Sequence, residues 1–368
     1  MRPQIWRVSP RGGVSRQIPR FLRPKLTFLS FKVMFEPAFL AKFAISNGLP
    51  AAGIKKNDYL KINKAGINGF AQNTTHPYFC SLKKGQFTDN TRLFLLTIKS
   101  LIKNGVFHEK DIIFNLKAWA KNCRDVAGFE RWPGKTSLRA CLNLLNGDNP
   151  KNCGIKLTSS CAAVYRTLPI GIFYPEDGVK NILKYSEICA SYTHNSVVSR
   201  AGSIFAAISI AKITDGVSLE QSFLDSLSLI KNYSSDRDFI ELIKRIKWSL
   251  TNYKKIKIGK ARRFLGSGSS ILQTIPLAVY IALKAKNFDE GVLTAANSFR
   301  EDFGKEKQKM LNYGWTEQLM ECVGGNTDGI AAICGCFLGA SYGADAIPDK
   351  YNIIENRSEM LKLSLKIK

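Results

Sequence analysis

Apolar residues recur at three- and four-residue spacing through most of the chain, the period of a buried helix face. Leu93, Leu95, Leu96, Ile98, Leu101 and Ile102 form one such stripe. Thr88-Asp89-Asn90-Thr91 precedes it and Asn104-Gly105 closes it, so a capped helix with a glycine stop is expected. Ile112, Ile113, Leu116 and Trp119 continue the period. Thr136 is expected to open a helix over Leu138 to Leu145 that ends at Asn146-Gly147. From Val197 to Ile213 the stripe includes Ala201, Gly202, Ala206, Ala207 and Ala211, small residues that let helices approach closely. Ser218 and Gln221 predict a capping box before Phe223, Leu224, Leu227 and Ile230. Asp236 to Tyr253, Ser269 to Lys286, Phe288 to Phe299 and Asp328 to Tyr342 read as further helices. Alternation at period two is nearly absent, and no internal repeat suggests a solenoid. The expected architecture is one large all-α domain over residues 34–368.

Composition narrows the classes. At 45% hydrophobic and 23% charged, the chain is neither disordered nor collagen-like. The longest nearly apolar stretch, Gly329 to Ala340, is shorter than the roughly 20 residues of a membrane helix, so no span is expected. Nine cysteines occur without a C-x-x-C, and Cys334 and Cys336 lie in an apolar helical run. They read as reduced core thiols. The histidines are His76, His108 and His194, none at ligand spacing from a cysteine, which argues against zinc. Cys161 and Cys189 have no neighbouring base in sequence and are not expected to be nucleophiles.

Charge changes the picture further. Lys and Arg number 54 against 29 acids, a net charge of +25, which favours anionic partners. Residues 1–33 carry eight bases, Pro3, Pro10, Pro19 and Pro24, and no acid. They are expected to lie outside the core as a basic extension, disordered or targeting, and Met34 offers a second start. The expected compartment is the cytoplasm, or a mitochondrion or other organelle if this stretch is a transit peptide. Ile240 to Arg263 holds nine bases and one acid, Glu241, and reads first as a solvated face, second as a nucleic-acid surface. Gly266-Ser267-Gly268-Ser269-Ser270 lacks the lysine of a phosphate-binding loop and reads as a loop and helix cap.

Two helix starts are rich in oxygen side chains: Thr88-Asp89-Asn90-Thr91 and Gly324-Gly325-Asn326-Thr327-Asp328-Gly329. Such groups cap helices routinely; together they also suit a hard cation. Thr-Asp-Asn-Thr resembles the Thr-Asp-Asp-Thr signature of the ADP-ribosylglycohydrolase family. Gly324 to Gly335 resembles that family's Gly-Gly-Asp-Thr-Asp-Thr-Ile-Ala-x-x-x-Gly, and Gly339 to Pro348 resembles its Gly-Ala-x-Tyr-Gly-x-x-x-Ile-Pro ending. Val164 to Gly171 is similar to its Ala-Met-Arg-x-x-Pro-Ile-Gly. Thr193-His194 and Gln273 to Ala278 resemble its Thr-His and Thr-x-Pro-x-Ala segments. All six occur in the family's order.

The resemblance implies a compact all-α, orthogonally packed fold with Mg²⁺ held between helix starts. It implies hydrolysis of the bond joining ADP-ribose to a protein side chain or small acceptor. Carried over by position, Thr88, Asp89, Asn90, Asn326 and Asp328 are the metal candidates. Tyr165, Arg166, His194, Gly324 and Gly325 would line the ADP-ribose groove. The catalytic residue is left open. Three departures bear on activity: Asn90 and Asn326 stand where the family has Asp, and Gly329 replaces a liganding Thr. The early Gly-Asp-Ala-Leu-Gly corresponds to Ser46-Asn47-Gly48-Leu49-Pro50, where Asp is again Asn. Ser298 to Val323 reads as an insertion. One charge pair at 4 Å is worth about 4 kcal/mol at an effective dielectric of 20, so these losses weaken a metal site. The expected protein is a Mg²⁺-dependent hydrolase with one or two weakly held ions, acting on ADP-ribose or ADP-ribosylated protein. The alternative is an inactive relative that binds ADP-ribose or serves as a crystallin-like structural protein. Nucleic acid ranks below both as a partner.

Overall fold

Leu93, Phe94, Ile98 and Leu101 are all buried, so the first stripe is a true core face. The computed structural model describes residues 52, 56–62, 64–70, 81–126, 131, 133–174, 178–299, 325–351 and 353–364. The expectations for residues 1–33, for Ser46 to Pro50, for Gly324 and for the insertion beyond residue 299 lie outside these.

Fourteen α-helices occur among the described residues. The first six are α1 (Lys56–Ile62), α2 (Asp89–Asn104), α3 (Glu109–Asp125), α4 (Lys135–Leu145), α5 (Ala162–Phe173) and α6 (Val179–Ser191). Then follow α7 (Val197–Thr214), α8 (Leu219–Ile230), α9 (Arg237–Asn252) and α10 (Ile258–Leu265). The last four are α11 (Ile271–Lys284), α12 (Phe288–Ala296), α13 (Thr327–Tyr342) and α14 (Arg357–Ser364). No strand occurs among the described residues, only isolated bridges Ile155 to His194 and Ser160 to Ser270. The fold is all-α.

Capping chemistry sets most of the boundaries. Gly105 takes a left-handed conformation, φ 68°, and its amide closes α2 on the Leu101 carbonyl. Asp236 accepts from the amides of Asp238 and Phe239, so α9 begins one residue later than the periodicity suggests. Ser270 caps α11, which confirms the Gly266–Ser270 stretch as loop and cap. Ser218 accepts from the Gln221 amide, but the Gln221 side chain turns to Asp225 at 2.6 Å, so only half of the expected box forms. Helix α4 starts at Lys135, ahead of Thr136, with Gly134 as its cap.

Helix α7 is the centre. It packs on α5, α6, α8 and α13. At Gly171 of α5 the backbones nearly touch: a Cβ there would lie 2.0 Å from the Ala207 carbonyl oxygen. Any other residue would push α5 off α7. Val197–Thr214 has 18 residues and a mean hydropathy of 1.4, long and apolar enough to cross a membrane by length and composition alone. Of its residues 83% are buried, so its apolarity is that of a core helix. Helices α1, α5, α6, α10 and α14 were not expected; α10 is clearly amphipathic but only eight residues long. Pro169 and Pro276 sit inside α5 and α11, so a sequence reader meets a breaker where the chain continues helical.

Candidate functional site

The two oxygen-rich helix starts converge. Asp89 opens α2 and Asp328 lies in the first turn of α13, and the charge of Asp328 is felt at Asp89. Burial raises the Asp89 carboxyl to about 7, with the Asp328 charge adding to the shift against the amide of Gly134. Burial likewise raises Asp328 to about 6, opposed by the amides of Gly329 and of Asp328 itself. Two carboxyls held in one low-dielectric place resist joint ionisation.

Ordinary capping does not explain either start. Thr88 stands at the cap of α2 and Asn326 at the cap of α13, yet neither side chain makes a cap hydrogen bond. The Thr88 hydroxyl is buried without a hydrogen-bond partner, as are those of Thr91 and Ser137. Ser137 Oγ and Asp89 Oδ2 each lie 3.8 Å from where a Cβ on Gly134 would sit. The Gly134 amide donates to Asp89 Oδ2 at 2.9 Å, so Asp89 serves as the missing cap of α4. Asn90, the next residue, stays half-buried.

Arg131 fixes this half of the site from behind. Its guanidinium grips Glu355 through two bonds of 2.6 and 2.9 Å and donates to the Phe87 carbonyl at 3.1 Å. The chain thus enters α2 at a set angle.

The other half is built differently. Asn326 turns its side chain inward, and Nδ2 donates to Thr274 Oγ1 at 3.2 Å and to Cys161 Sγ at 3.4 Å. Cys161 Sγ pairs with the Tyr165 hydroxyl at 3.2 Å. The absence of a side chain at Gly329 makes this possible: a Cβ there would lie 2.2 Å from Tyr165 Oη and 2.3 Å from Asn326 Nδ2. Tyrosine and amide together fill the space that a threonine at 329 would take. The cluster is neutral, since burial pushes the Tyr165 phenol and the Cys161 thiol up.

Arg166 does not face a groove. It is fully buried and donates to the carbonyls of Cys189 and Ala190 and to the Thr193 hydroxyl, closing the C-terminal end of α6. No part of the Arg166 side chain is exposed, and its Nη1 is buried without a hydrogen-bond partner. His194 is buried beside it, with Nδ1 against Thr193 Oγ1 at 2.8 Å and Nε2 without a partner. Burial first, and the Arg166 charge second, hold the imidazole down at about 3, so it stays neutral. Tyr165 belongs to the cluster just described. Gly325 is buried beside Asn326 with φ 133°, a conformation that favours glycine. The Asn326 amide donates to the Ser267 carbonyl at 2.7 Å, which ties the Gly266–Ser270 loop to the site.

A sequence profile of ADP-ribosylglycohydrolase matches residues 46–367. The chain belongs to the ADP-ribosylglycohydrolase family. It is 25% identical over 272 residues to an uncharacterized protein of Archaeoglobus fulgidus, covering 73% of this chain and 75% of that one. It is 23% identical over 301 residues to human ADP-ribosylhydrolase ARH3, covering 72% and 73%. A solved structure, an ADP-ribosylglycohydrolase-related protein complex, superposes with a TM-score of 0.64 at 16% identity, over 93% of this chain and 98% of that one. The last of these speaks to fold alone.

Membership makes the missed residues legible. Cys161, Thr274, Ser137 and Gly134 lie beside the expected residues, and only Thr274 falls within a family-like segment. Thr274 was within reach, because it sits in the family-like segment Gln273 to Ala278. Among the described residues no group of three or more His, Cys, Asp or Glu could hold a metal. The oxygen set is two carboxylates supplemented by hydroxyls. It fits one cation. Gly329 adds no side-chain oxygen to this set, and Asn326 directs its amide nitrogen to Cys161 and Thr274.

Proposed function

We propose that this family member hydrolyses the link between ADP-ribose and an acceptor with a single, weakly held Mg²⁺. Asp89 and Asp328 would hold the ion, with the Thr88 hydroxyl and the Asn90 amide oxygen as neutral supplements. When bound, such an ion orders water and ribose hydroxyls, as paired metals do in related chemistry. The chain's own part is to hold a buried Asp89 and a half-buried Asp328 close enough for one charge to be felt at the other. That observation carries the reading, because a buried like-charge pair is costly until a cation neutralises it. The partnerless hydroxyls of Thr88, Thr91 and Ser137 support it, since buried polar groups are normally satisfied. The similarity to human ADP-ribosylhydrolase ARH3 supports ADP-ribosylated substrates.

A second reading is a non-catalytic ADP-ribose binder, favoured by the commitment of Asn326 and Tyr165 to a neutral cluster. Calorimetric titration with Mg²⁺, with and without ADP-ribose, separates the two when run beside a release assay on ADP-ribosylated peptide. Release that needs Mg²⁺ and disappears in Asp89→Asn and Asp328→Asn supports the hydrolase. ADP-ribose binding without release, at saturating Mg²⁺, supports the binder. A chain that binds neither Mg²⁺ nor ADP-ribose sinks both.

A further inference from the structure

Away from the site, α9 and α10 share an unusual face. Trp248 of α9 and Phe264 of α10 stack with ring centroids 4.4 Å apart and planes 23° from parallel. The pair stands partly in solvent, with Phe264 55% exposed. Lys244 is one helical turn before Trp248, and Lys260 is one turn before Phe264, so a lysine shares the helix face of each ring. Lys247 and Lys257 extend the basic edge, and all four lysines are exposed. None of the four has an acidic partner among the described residues. The acid in this stretch, Glu241, is already held by Arg245 at 2.8 Å. Arg245 also donates to the Leu265 carbonyl at 3.0 Å, which locks α10 against α9.

We propose that this face binds single-stranded nucleic acid. A stacked, exposed aromatic pair offers a flat ring surface to a base, and flanking lysines take phosphates. The rings decide between partners. A solvated lysine face or a lipid-binding face needs no stacked pair, and exposed apolar side chains on α9 and α10 are confined to Ile240 and Phe264, too few for a membrane-seated helix. The Gly266–Ser270 loop follows α10, and its Ser267 carbonyl accepts from the Asn326 amide. The binding proposed does not depend on hydrolysis at that site.

The test uses the full chain, fluorescently labelled single-stranded oligonucleotides of about 15 nucleotides and anisotropy at several salt concentrations. Residues 1–33 add bases of their own, so the decisive reading is the difference between variants. Phe264→Ala should weaken binding about tenfold, as loss of a stacked base does, whereas Phe264→Tyr should bind as the parent does. Lys244→Gln with Lys260→Gln should flatten the slope of log affinity against log salt by about 1.4, two single-strand phosphate contacts. Circular dichroism checks that each variant is folded. If Phe264→Ala and the double lysine change both leave affinity untouched, the proposal is overturned and binding resides elsewhere. Competition by inorganic polyphosphate as strong as by oligonucleotide overturns it in favour of plain charge. Binding to phosphatidylserine vesicles without binding to oligonucleotide overturns it in favour of a membrane.

Discussion

The starts of α2 and α13 each bring one aspartate to the same place, and they hold it by different means. At α2 the carboxylate is braced by its neighbours: Gly134 donates to it, and Arg131 and Glu355 set the chain that carries it. The hydroxyls around it remain without partners. At α13 the polar groups have found one another, and Asn326, Tyr165, Cys161 and Thr274 leave little for a ligand. The first half keeps unmet hydrogen-bonding capacity; the second has spent it internally. A site can therefore weaken on one side by repacking without losing its carboxylate. The asparagine at 326 and the glycine at 329 form one packing arrangement, because the amide and the phenol fill the space beside Gly329.

The sharpest way to break this contrast is Gly329→Thr. The new Cβ would fall on Tyr165 Oη and Asn326 Nδ2, and overpacking of this kind costs about 3 kcal/mol. Urea denaturation should show that loss, and Tyr165→Met in the same chain should recover at least half of it. A fully additive double variant would disprove the shared space.

Arg131→Met should cost about 2 kcal/mol, because it removes a two-pronged ion pair and a bond to the Phe87 carbonyl. Hydrogen exchange should quicken at the start of α2 and not at the start of α13. Equal loosening of both would show that the halves are a single unit.

Next in size is metal affinity. Asn90→Asp should raise Mg²⁺ affinity about tenfold, or 1.4 kcal/mol, read by calorimetry. Asn326→Asp should gain less, since it gives up the two bonds from Nδ2 to Cys161 and Thr274 and places a charge in a neutral cluster. The reverse ranking would mean that Asn326 swings out to the ion.

The smallest effect is on pH. Asp89 and Asp328 are raised to about 7 and about 6, so the folded chain holds their protons more tightly than the unfolded chain does. Their part of the stability therefore grows as pH falls from about 7 towards 4. His194 is depressed to about 3, so the folded chain holds its proton less tightly, and stability is lost as pH drops below about 6.5. Between pH 8 and about 6.5 the aspartates act alone. In chelator, Tm should rise by about 2 °C on acidification through that range. Asp328→Asn should flatten the rise, and saturating Mg²⁺ should abolish it.

Much of this was legible in the sequence. The stripe from Leu93 to Ile102 and the Gly105 stop depend on neighbours in the chain and stand as read, and Ser218 caps α8 without the reciprocal half of its box. The family motifs located both carboxylates. The pattern hid relations between distant residues. That Gly329 matters because Tyr165 needs its space is a contact across two helices, invisible to spacing. Arg166 was placed in the groove by motif resemblance, while the partners it has are the Thr193 hydroxyl and two carbonyls at the end of another helix. Gly134 looked unremarkable as a helix start because the side chain that caps it arrives from residue 89.

The neutral cluster also has a mechanical meaning. Cys161 precedes α5, Thr274 sits in the first turn of α11 and Asn326 precedes α13, so three helices are pinned at their N-terminal ends by one set of side chains. Backbone bonds from Cys161 to Ser269 and from Asn326 to Ser267 draw the same ends together. None of these helices can fray at its start without breaking bonds that belong to another. Their first turns should open to solvent together, as one cooperative unit, rather than singly as helix ends ordinarily do.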